Sequence, residues 1–522
     1  MSDIAALERH RLELQAKLDG EKSHLERNQM GQFATPTVLA TEILEYGLSL
    51  LGADDAVRFL DPAIGTGSFF SALLKCAAQR RVESALGFEI DLHYGKPAAS
   101  LWRDTPLRLE LRDFTTANPN EGDLANLVIC NPPYVRHHHL DADNKLRLQA
   151  ITEEQTGIRL SGLAGLYCYF LMLSQRWMSP GGVAGWLIPS EFMDVNYGDE
   201  VKRFLLSRMT LLHIHRFDPA EVQFDDALVS SAVIWFRNAP PTDHSVCFSF
   251  GGSLAQPRCE HSVSVDDLWT VPKWTRLLSE SPIVEQSDGP TLGDFFRIQR
   301  GLATGCNEFF VLNGEQIEKH QLPREFLTPI LPSPRYLPVD EVLATRSGMP
   351  VLDEALFLLN CDLPEDIVRT KYPALWNYLK TGVGTAVDQR YLCQHRSPWY
   401  SQERRQPPPL LCTYMGRTNT ATGRPFRFIL NHSQAIAANV YLLLYPKPRF
   451  ERLWRERPQL LRELWSFLNE LPASSLTHEG RVYGGGLHKL EPRELANLPV
   501  AAALQHVTAS KLARRSQKAL FS

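Results

Sequence analysis

A chain of 522 residues is too long for one ordinary domain and long enough for two or three with substantial cores. With 44% hydrophobic and 22% charged residues it has a globular composition, and a net charge of -4 excludes a chain that is basic throughout. Any polyanion would have to be met by a local basic face.

The nine cysteines are scattered, odd in number and form no Cys-x-x-Cys pair, which argues for reduced intracellular thiols and against a structural zinc site. In residues 1–30, Ile4, Leu7, Leu14, Leu18 and Leu25 recur at three-and-four spacing, which predicts an amphipathic helix broken near Gly20 and packed on its own protein. Glu8 and Arg11 stand where a secretory signal needs an apolar core, so export is not expected. The most apolar helix-like run, Gly165 to Met178, contains Gln175 and Arg176 and is too short for a bilayer. No membrane is expected.

Thr35 and Pro36 punctuate the start of a second helix over Val38 to Leu44. From Ala56 to Phe236 short apolar runs alternate with helical stretches. Strands are predicted at Val57 to Leu60, Ala85 to Phe88, Leu107 to Leu111, Leu127 to Cys130, Val183 to Ile188, Leu211 to Phe217 and Val229 to Phe236. Helices are predicted at Ser68 to Arg80, Leu166 to Met178 and Glu200 to Met209. This alternation implies an α/β fold, a doubly wound Rossmann-like sheet of seven strands that binds its ligand at the carboxyl ends of the strands. Asn238-Ala239-Pro240-Pro241 breaks the pattern and is read as a boundary. The divisions are an N-terminal helix at 1–30, a catalytic domain at 31–240 and a mixed α/β domain at 241–522.

Several strand ends carry groups suited to chemistry. Asp61-Pro62-Ala63-Ile64-Gly65-Thr66-Gly67-Ser68 follows the first strand and opens a helix, and its glycines let backbone approach a ligand. Phe70 stands where a dinucleotide fingerprint needs its third glycine, and Asp61 suits a cationic ligand bearing an α-amino group rather than a pyrophosphate. Glu89 ends the second strand, where a carboxylate accepts from ribose hydroxyls. Asp113 ends the third, placed to accept from an adenine amine that Phe114 covers.

Asn131-Pro132-Pro133-Tyr134 ends the fourth strand. Two prolines fix φ, remove N–H donors and hold Asn131 extended. The acceptors of Asn131 and Pro132 beside the face of Tyr134 suit a planar exocyclic amine such as that of adenine. His137-His138-His139 follows, and no metal is expected there because no matching carboxylate or cysteine cluster accompanies it.

Asp61-Pro-x-x-Gly-Thr-Gly-Ser68, Glu89, Asp113-Phe114 and Asn131-Pro-Pro-Tyr134 resemble the motifs of S-adenosylmethionine-dependent amino-methyltransferases, and Gly31-x-Phe33-x-Thr35-Pro36 resembles that family's N-terminal cofactor motif. The motif order and the long C-terminal region resemble the gamma class of type II adenine-N6 DNA methyltransferases, of TaqI-like architecture. The resemblance implies a catalytic set of Asn131, Pro132, Tyr134 and Phe224. In it Phe224, before Val229 to Ile234, stacks on a flipped base opposite Tyr134. It implies cofactor contacts from Thr35, Pro36, Asp61, Ala63, Gly65, Gly67, Glu89, Asp113, Phe114 and Asn131, with S-adenosylmethionine as cofactor.

The C-terminal half is similar to the family's target-recognition domains at Gln299 to Phe310 and Gly484 to Leu490. Between them Arg390, Arg396, Arg404, Arg405, Arg417, Arg424 and Arg427 are interleaved with Trp399, Tyr400, Tyr414 and Phe426, the local basic face required above. Arg300, Arg396, Arg404, Arg405, Arg417 and Arg424 are the expected contacts to double-stranded DNA. The implied protein is a cytoplasmic, nucleoid-associated monomer, the modification enzyme of a restriction-modification system whose endonuclease acts separately. RNA or protein-glutamine N-methyl transfer, and an inactive DNA-specificity subunit, are the alternatives.

Overall fold

The computed structural model describes residues 4–77, 80–219, 230–278, 289–419, 422–473, 475–476, 480–483 and 486–500. The chain folds as two units, residues 1–284 with 483–486, and residues 285–482 with 487–522.

In the first unit nine strands form one sheet: β1 (Val57–Asp61), β2 (Val82–Phe88), β3 (Leu107–Glu110), β4 (Ala125–Cys130), β5 (Met178–Pro189), β6 (Thr210–Arg216), β7 (Ser231–Arg237), β8 (Ser245–Gly252) and β9 (Pro257–Ser264). Their order is β3-β2-β1-β4-β5-β7-β6-β8-β9. The five strands from β3 to β5 in that order are parallel, and β7 runs antiparallel to both β5 and β6. The helices are α1 (Ile4–Gly20), α2 (His24–Met30), α3 (Thr37–Ser49), α4 (Ser68–Cys76), α5 (Leu92–Leu101), α6 (Ala142–Thr156), α7 (Leu166–Leu173) and α8 (Asp199–Ser207).

Side chains alternate across a strand, and helices cover both faces, so the central strands are apolar on both sides. Phe59, Leu127 and Ile129 pack with α3 and α4. Leu60, Val128 and Cys130 pack with α6, α7 and α8 on the opposite face. The reversal of strand order between β1 and β4 opens a crevice at their carboxyl ends.

All seven expected strands form, and two further strands correct the boundary. Asn238 to Pro241 is a turn inside the first unit, not a linker. The Asn238 side chain donates to the carbonyls of Met178 (3.0 Å) and Ser179 (3.3 Å), and the chain returns as β8, parallel to β6. Val246 and Phe248 of β8 are fully buried. The N-terminal helix is likewise part of this unit and not a division of its own, with its break falling between Gly20 and His24. The predicted helix over Leu166 to Met178 stops at Leu173, passes through a short 3-10 turn and enters β5 at Met178. Among the described residues, no helix is long and apolar enough to cross a membrane.

The second unit mixes strands and helices, as expected. Its larger sheet orders Phe296–Arg300, Tyr441–Pro446, Leu410–Thr413, Phe428–Asn431 and Glu341–Val342. A smaller one orders Val311–Asn313, Leu356–Leu359 and Leu327–Ile330.

Two predictions follow from how β5 to β8 pack. Gly185 of β5 lies opposite Trp235 of β7, and a Cβ at Gly185 would meet the indole at 2.4 Å. Gly185→Ala should therefore destabilise the protein by about 1–3 kcal/mol, read as a lower denaturant midpoint with an unchanged slope. His213 Nε2 and His215 Nδ1 both hydrogen-bond the Ser249 hydroxyl, at 2.7 and 2.8 Å, and burial pushes the two imidazoles down from 6.5 to about 4 and about 3. Below pH 6.5 the unfolded chain takes up protons that the folded chain refuses until about pH 4, so stability falls with acidification across that window. His215→Gln should flatten the slope of thermal midpoint against pH there.

Candidate active site

A cavity of about 220 Å³ opens at the carboxyl ends of β1 to β4. Ala63, Gly65, Glu89, Asp113, Phe114 and Asn131, all expected from the sequence, line it. Glu89 accepts from the Gly65 N–H at 3.0 Å and the Asp91 N–H at 2.7 Å, which fixes its carboxylate at the rim of the glycine loop. Burial raises its pKa, in part opposed by those two bonds.

Asp61 corrects the expectation of a ligand-facing carboxylate. It is 1% exposed, does not line the cavity, and accepts from the Ala63 N–H of its own loop at 3.1 Å. Burial, with the nearby Glu89 adding to it, pushes its pKa up to about 8. Gly67 caps α4, and Pro36 caps α3; neither lines the cavity.

At the end of β4 the side chain of Asn131 is held by its amide nitrogen. Nδ2 donates to the Phe33 carbonyl at 2.9 Å and to the Thr35 hydroxyl at 3.1 Å. Thr35 is buried behind the wall rather than in it. The amide oxygen, Oδ1, is buried and has no hydrogen-bond partner. Gly31 makes this arrangement fit: a Cβ there would lie 2.2 Å from the Tyr134 nitrogen, which donates to the Gly31 carbonyl at 3.3 Å.

Pro132 is buried, and Pro133 and Val135 supply the loop's share of the cavity wall. Tyr134 does not line it. Its ring is 9% exposed, lies 5.8 Å from that of Phe33, and its hydroxyl donates to the Leu187 carbonyl at 3.0 Å. Stacking on Tyr134 therefore requires its cover to move. Its expected partner, Phe224, lies outside the described residues. His137–His139 form a 3-10 turn with the rings of His138 and His139 4.2 Å apart, and no group of metal-ligating side chains occurs among the described residues.

The polar wall residues that sequence reasoning missed include Gln15 and Asp19 of α1, Thr115 after β3, and Asn144 and Arg147 of α6. The signal in α1 was in the polar positions that flank its leucine stripe. Gln15 and Asp19, four apart, bond each other at 2.9 Å, Gln15 accepts from Thr66 of the glycine loop, and Asp19 accepts from the Tyr94 hydroxyl at 2.9 Å.

In the second unit the basic stretch sorts into two kinds of arginine. Arg396 corrects its expected role: it donates to the carbonyls of Thr304 (2.7 Å) and Ala303 (2.5 Å), and so holds the loop after Arg300. Arg427 is similarly spent on Asp340 and the carbonyls of Pro334, Leu337 and Val339. Tyr400, Tyr414 and Phe426 are core residues at 1–4% exposure, not an aromatic surface. At the surface, Arg300 lies over the Tyr414 ring at 4.3 Å, Arg404 pairs with Asp362, and Arg405 pairs with Glu403. Arg417 is exposed and Arg424 half-buried.

Two family models match the chain. The Eco57I restriction-modification methylase model matches residues 109–223, and that for the C-terminal domain of the type II methyltransferase M.Eco57I matches residues 276–520. The chain is 27% identical over 496 residues to the type II methyltransferase M.AccI of Acinetobacter calcoaceticus, covering 90% of this chain and 85% of that one. It is also 27% identical over 488 residues to the type II methyltransferase M.XamI of Xanthomonas campestris pv. amaranthicola, with the same coverage. Its fold is like that of the type IIL restriction-modification enzyme MmeI, solved in complex with DNA. The TM-score is 0.51 at 12% identity, over 89% of this chain and 63% of that one. One model matches part of the first unit and the other nearly all of the second, and the two relatives align along nearly the whole chain, which is thus similar throughout to the Eco57I-type restriction-modification methyltransferases.

Proposed function

We propose that this chain transfers a methyl group from S-adenosylmethionine to the N6 amine of an adenine extruded from duplex DNA, as the modification enzyme of a restriction-modification system. The observation that carries this reading is the buried Asn131 Oδ1 without a partner. An unpaired buried acceptor costs about 1–3 kcal/mol, and a substrate N–H is the group that offsets it.

The cavity's acceptors fit the cofactor. Glu89 faces a ribose diol, Asp113 an adenine amine, and Phe114 with Phe88 and Phe170 gives the apolar cover a purine ring needs. Bound there, S-adenosylmethionine supplies an electrophilic methyl on a cationic sulfur. The acidic wall, Glu89, Asp113 and Asp19, suits that charge.

Extruding the base costs roughly a few kcal/mol, offset by stacking and phosphate contacts. Tyr134 and Phe224 are the proposed stacking pair. Asn131 Oδ1 and the Pro132 carbonyl accept the two N6 hydrogens, which orients the amine's lone pair and stabilises the positive charge that builds on it. No strong base is needed beforehand, because the amine loses its proton after it becomes cationic. Duplex DNA is met by the arginines of the second unit that keep surface exposure, Arg300, Arg404, Arg405, Arg417 and Arg424.

Asn131→Ala should lower methyl transfer by 10²-fold or more, on the order of what losing one well-placed charge-stabilising group costs, while cofactor affinity stays near wild type. Transfer at the wild-type rate in that variant would refute the mechanism. A transfer assay offering duplex DNA, RNA and protein, followed by mapping of N6-methyladenine in host DNA, tests the substrate. Methylcytosine in place of methyladenine would sink the adenine assignment.

The raised carboxyl pKa values give a pH test. Asp61, with its pKa at about 8, holds a proton at neutral pH in the free protein, and a cation bound beside its neighbour Glu89 would drive that proton off. Cofactor binding should release protons, and affinity should rise as pH climbs toward about 8. Calorimetry in buffers of different ionisation enthalpy reads that release, and its absence would contradict the electrostatic coupling of the cavity to the buried Asp61 behind it.

A further inference from the structure

Arg147 lines the cavity beside Asp113 although it belongs to α6, outside every sequence motif of the site. Asp141 caps α6 by accepting from the Asn144 N–H at 2.8 Å. That places Asn144 and Arg147 one turn apart on the cavity side, with fully buried Leu148 anchoring the helix beneath them.

The Arg147 guanidinium donates to the Asn144 amide oxygen at 2.6 Å and to the Thr115 hydroxyl at 2.9 Å. It also reaches Asp113 Oδ2 at 3.4 Å. The Thr115 hydroxyl lies 2.8 Å from both oxygens of Asp113, and the Thr115 N–H donates to Oδ1 at 2.8 Å. A hydroxyl has one proton to give. By accepting from Arg147, Thr115 turns that proton toward the carboxylate, so guanidinium, hydroxyl and carboxylate form a directed chain.

We infer that Arg147 is a positioning residue for the cofactor's base: through Thr115 it fixes the rotamer of Asp113 so that the carboxylate accepts from the exocyclic amine of adenine. The inference rests on the cofactor reading above and goes beyond it, because it assigns selectivity for a 6-amino purine to a side chain of α6. Asn144 holds the guanidinium plane and is the second member of the device.

The test is calorimetric binding of two ligands to the full-length protein, S-adenosylhomocysteine and its 6-oxo analogue S-inosylhomocysteine, which presents no 6-amino group to Asp113. Wild type should prefer the amino compound. Arg147→Ala should weaken S-adenosylhomocysteine about tenfold, the scale of one hydrogen bond to a charged group, and leave the 6-oxo analogue nearly unchanged. Thr115→Val, which keeps the shape and removes the relay, should repeat that selective loss, and Arg147→Lys should fall between. Equal weakening of both ligands, or no weakening of either, would overturn the inference while leaving the cofactor reading intact. Failure of the wild type to bind either ligand would overturn the cofactor reading and the inference with it.

Discussion

A primary amide offers two N–H donors and one carbonyl. At Asn131 both donors are consumed by a backbone carbonyl and a hydroxyl from the segment just before α3, so the carbonyl is the one valence left over and its direction is set. The rest of the first unit is arranged around keeping that geometry. The apolar β4 brings Asn131 to the end of a buried strand, the two prolines stop the strand there, and Gly31 lets the N-terminal segment lie against the loop closely enough to reach the amide. The geometry of the candidate site is thus supplied by two stretches almost a hundred residues apart, 33–35 and 131, and neither makes it alone.

This division explains what was readable beforehand. Strand ends announce themselves because an apolar run that stops on Asp61, Glu89, Asp113 or Asn131 has to put a polar group where a buried strand emerges. Short apolar runs alternating with helical spacing likewise made the central sheet legible. What does not show in the sequence is which carboxylate faces the ligand. Asp61 and Glu89 have the same local signature, yet one spends itself on its own loop while the other lines the cavity, and only the packing of β1 against β2 decides that. The polar positions of α1 were overlooked for a related reason: an amphipathic pattern identifies the buried stripe and is silent on what the residues flanking it cover.

The misplaced boundary has a different origin. Prolines after Asn238 look like a linker, but Pro is equally at home in a turn, and the alternation of Val246, Phe248 and Phe250 was the competing signal for a further strand. Composition also overstated the aromatic character of the basic stretch. Tyr400, Tyr414 and Phe426 are large enough to be needed in the core of a unit built from small sheets, and that demand outweighs any surface role.

The ion pairs of the second unit carry a consequence for how strongly salt should matter. Binding to a polyanion is driven largely by the release of condensed cations, one for each phosphate charge neutralised. Arg404 already sits on Asp362 and Arg405 on Glu403. A cation that keeps its carboxylate partner neutralises less phosphate charge, and one that abandons it leaves a bare carboxylate facing the backbone. Either way the protein presents fewer effective charges than its arginines suggest. Its grip on nucleic acid should weaken less steeply with ionic strength, and rely more on groups that read shape and bases, than a count of basic residues implies.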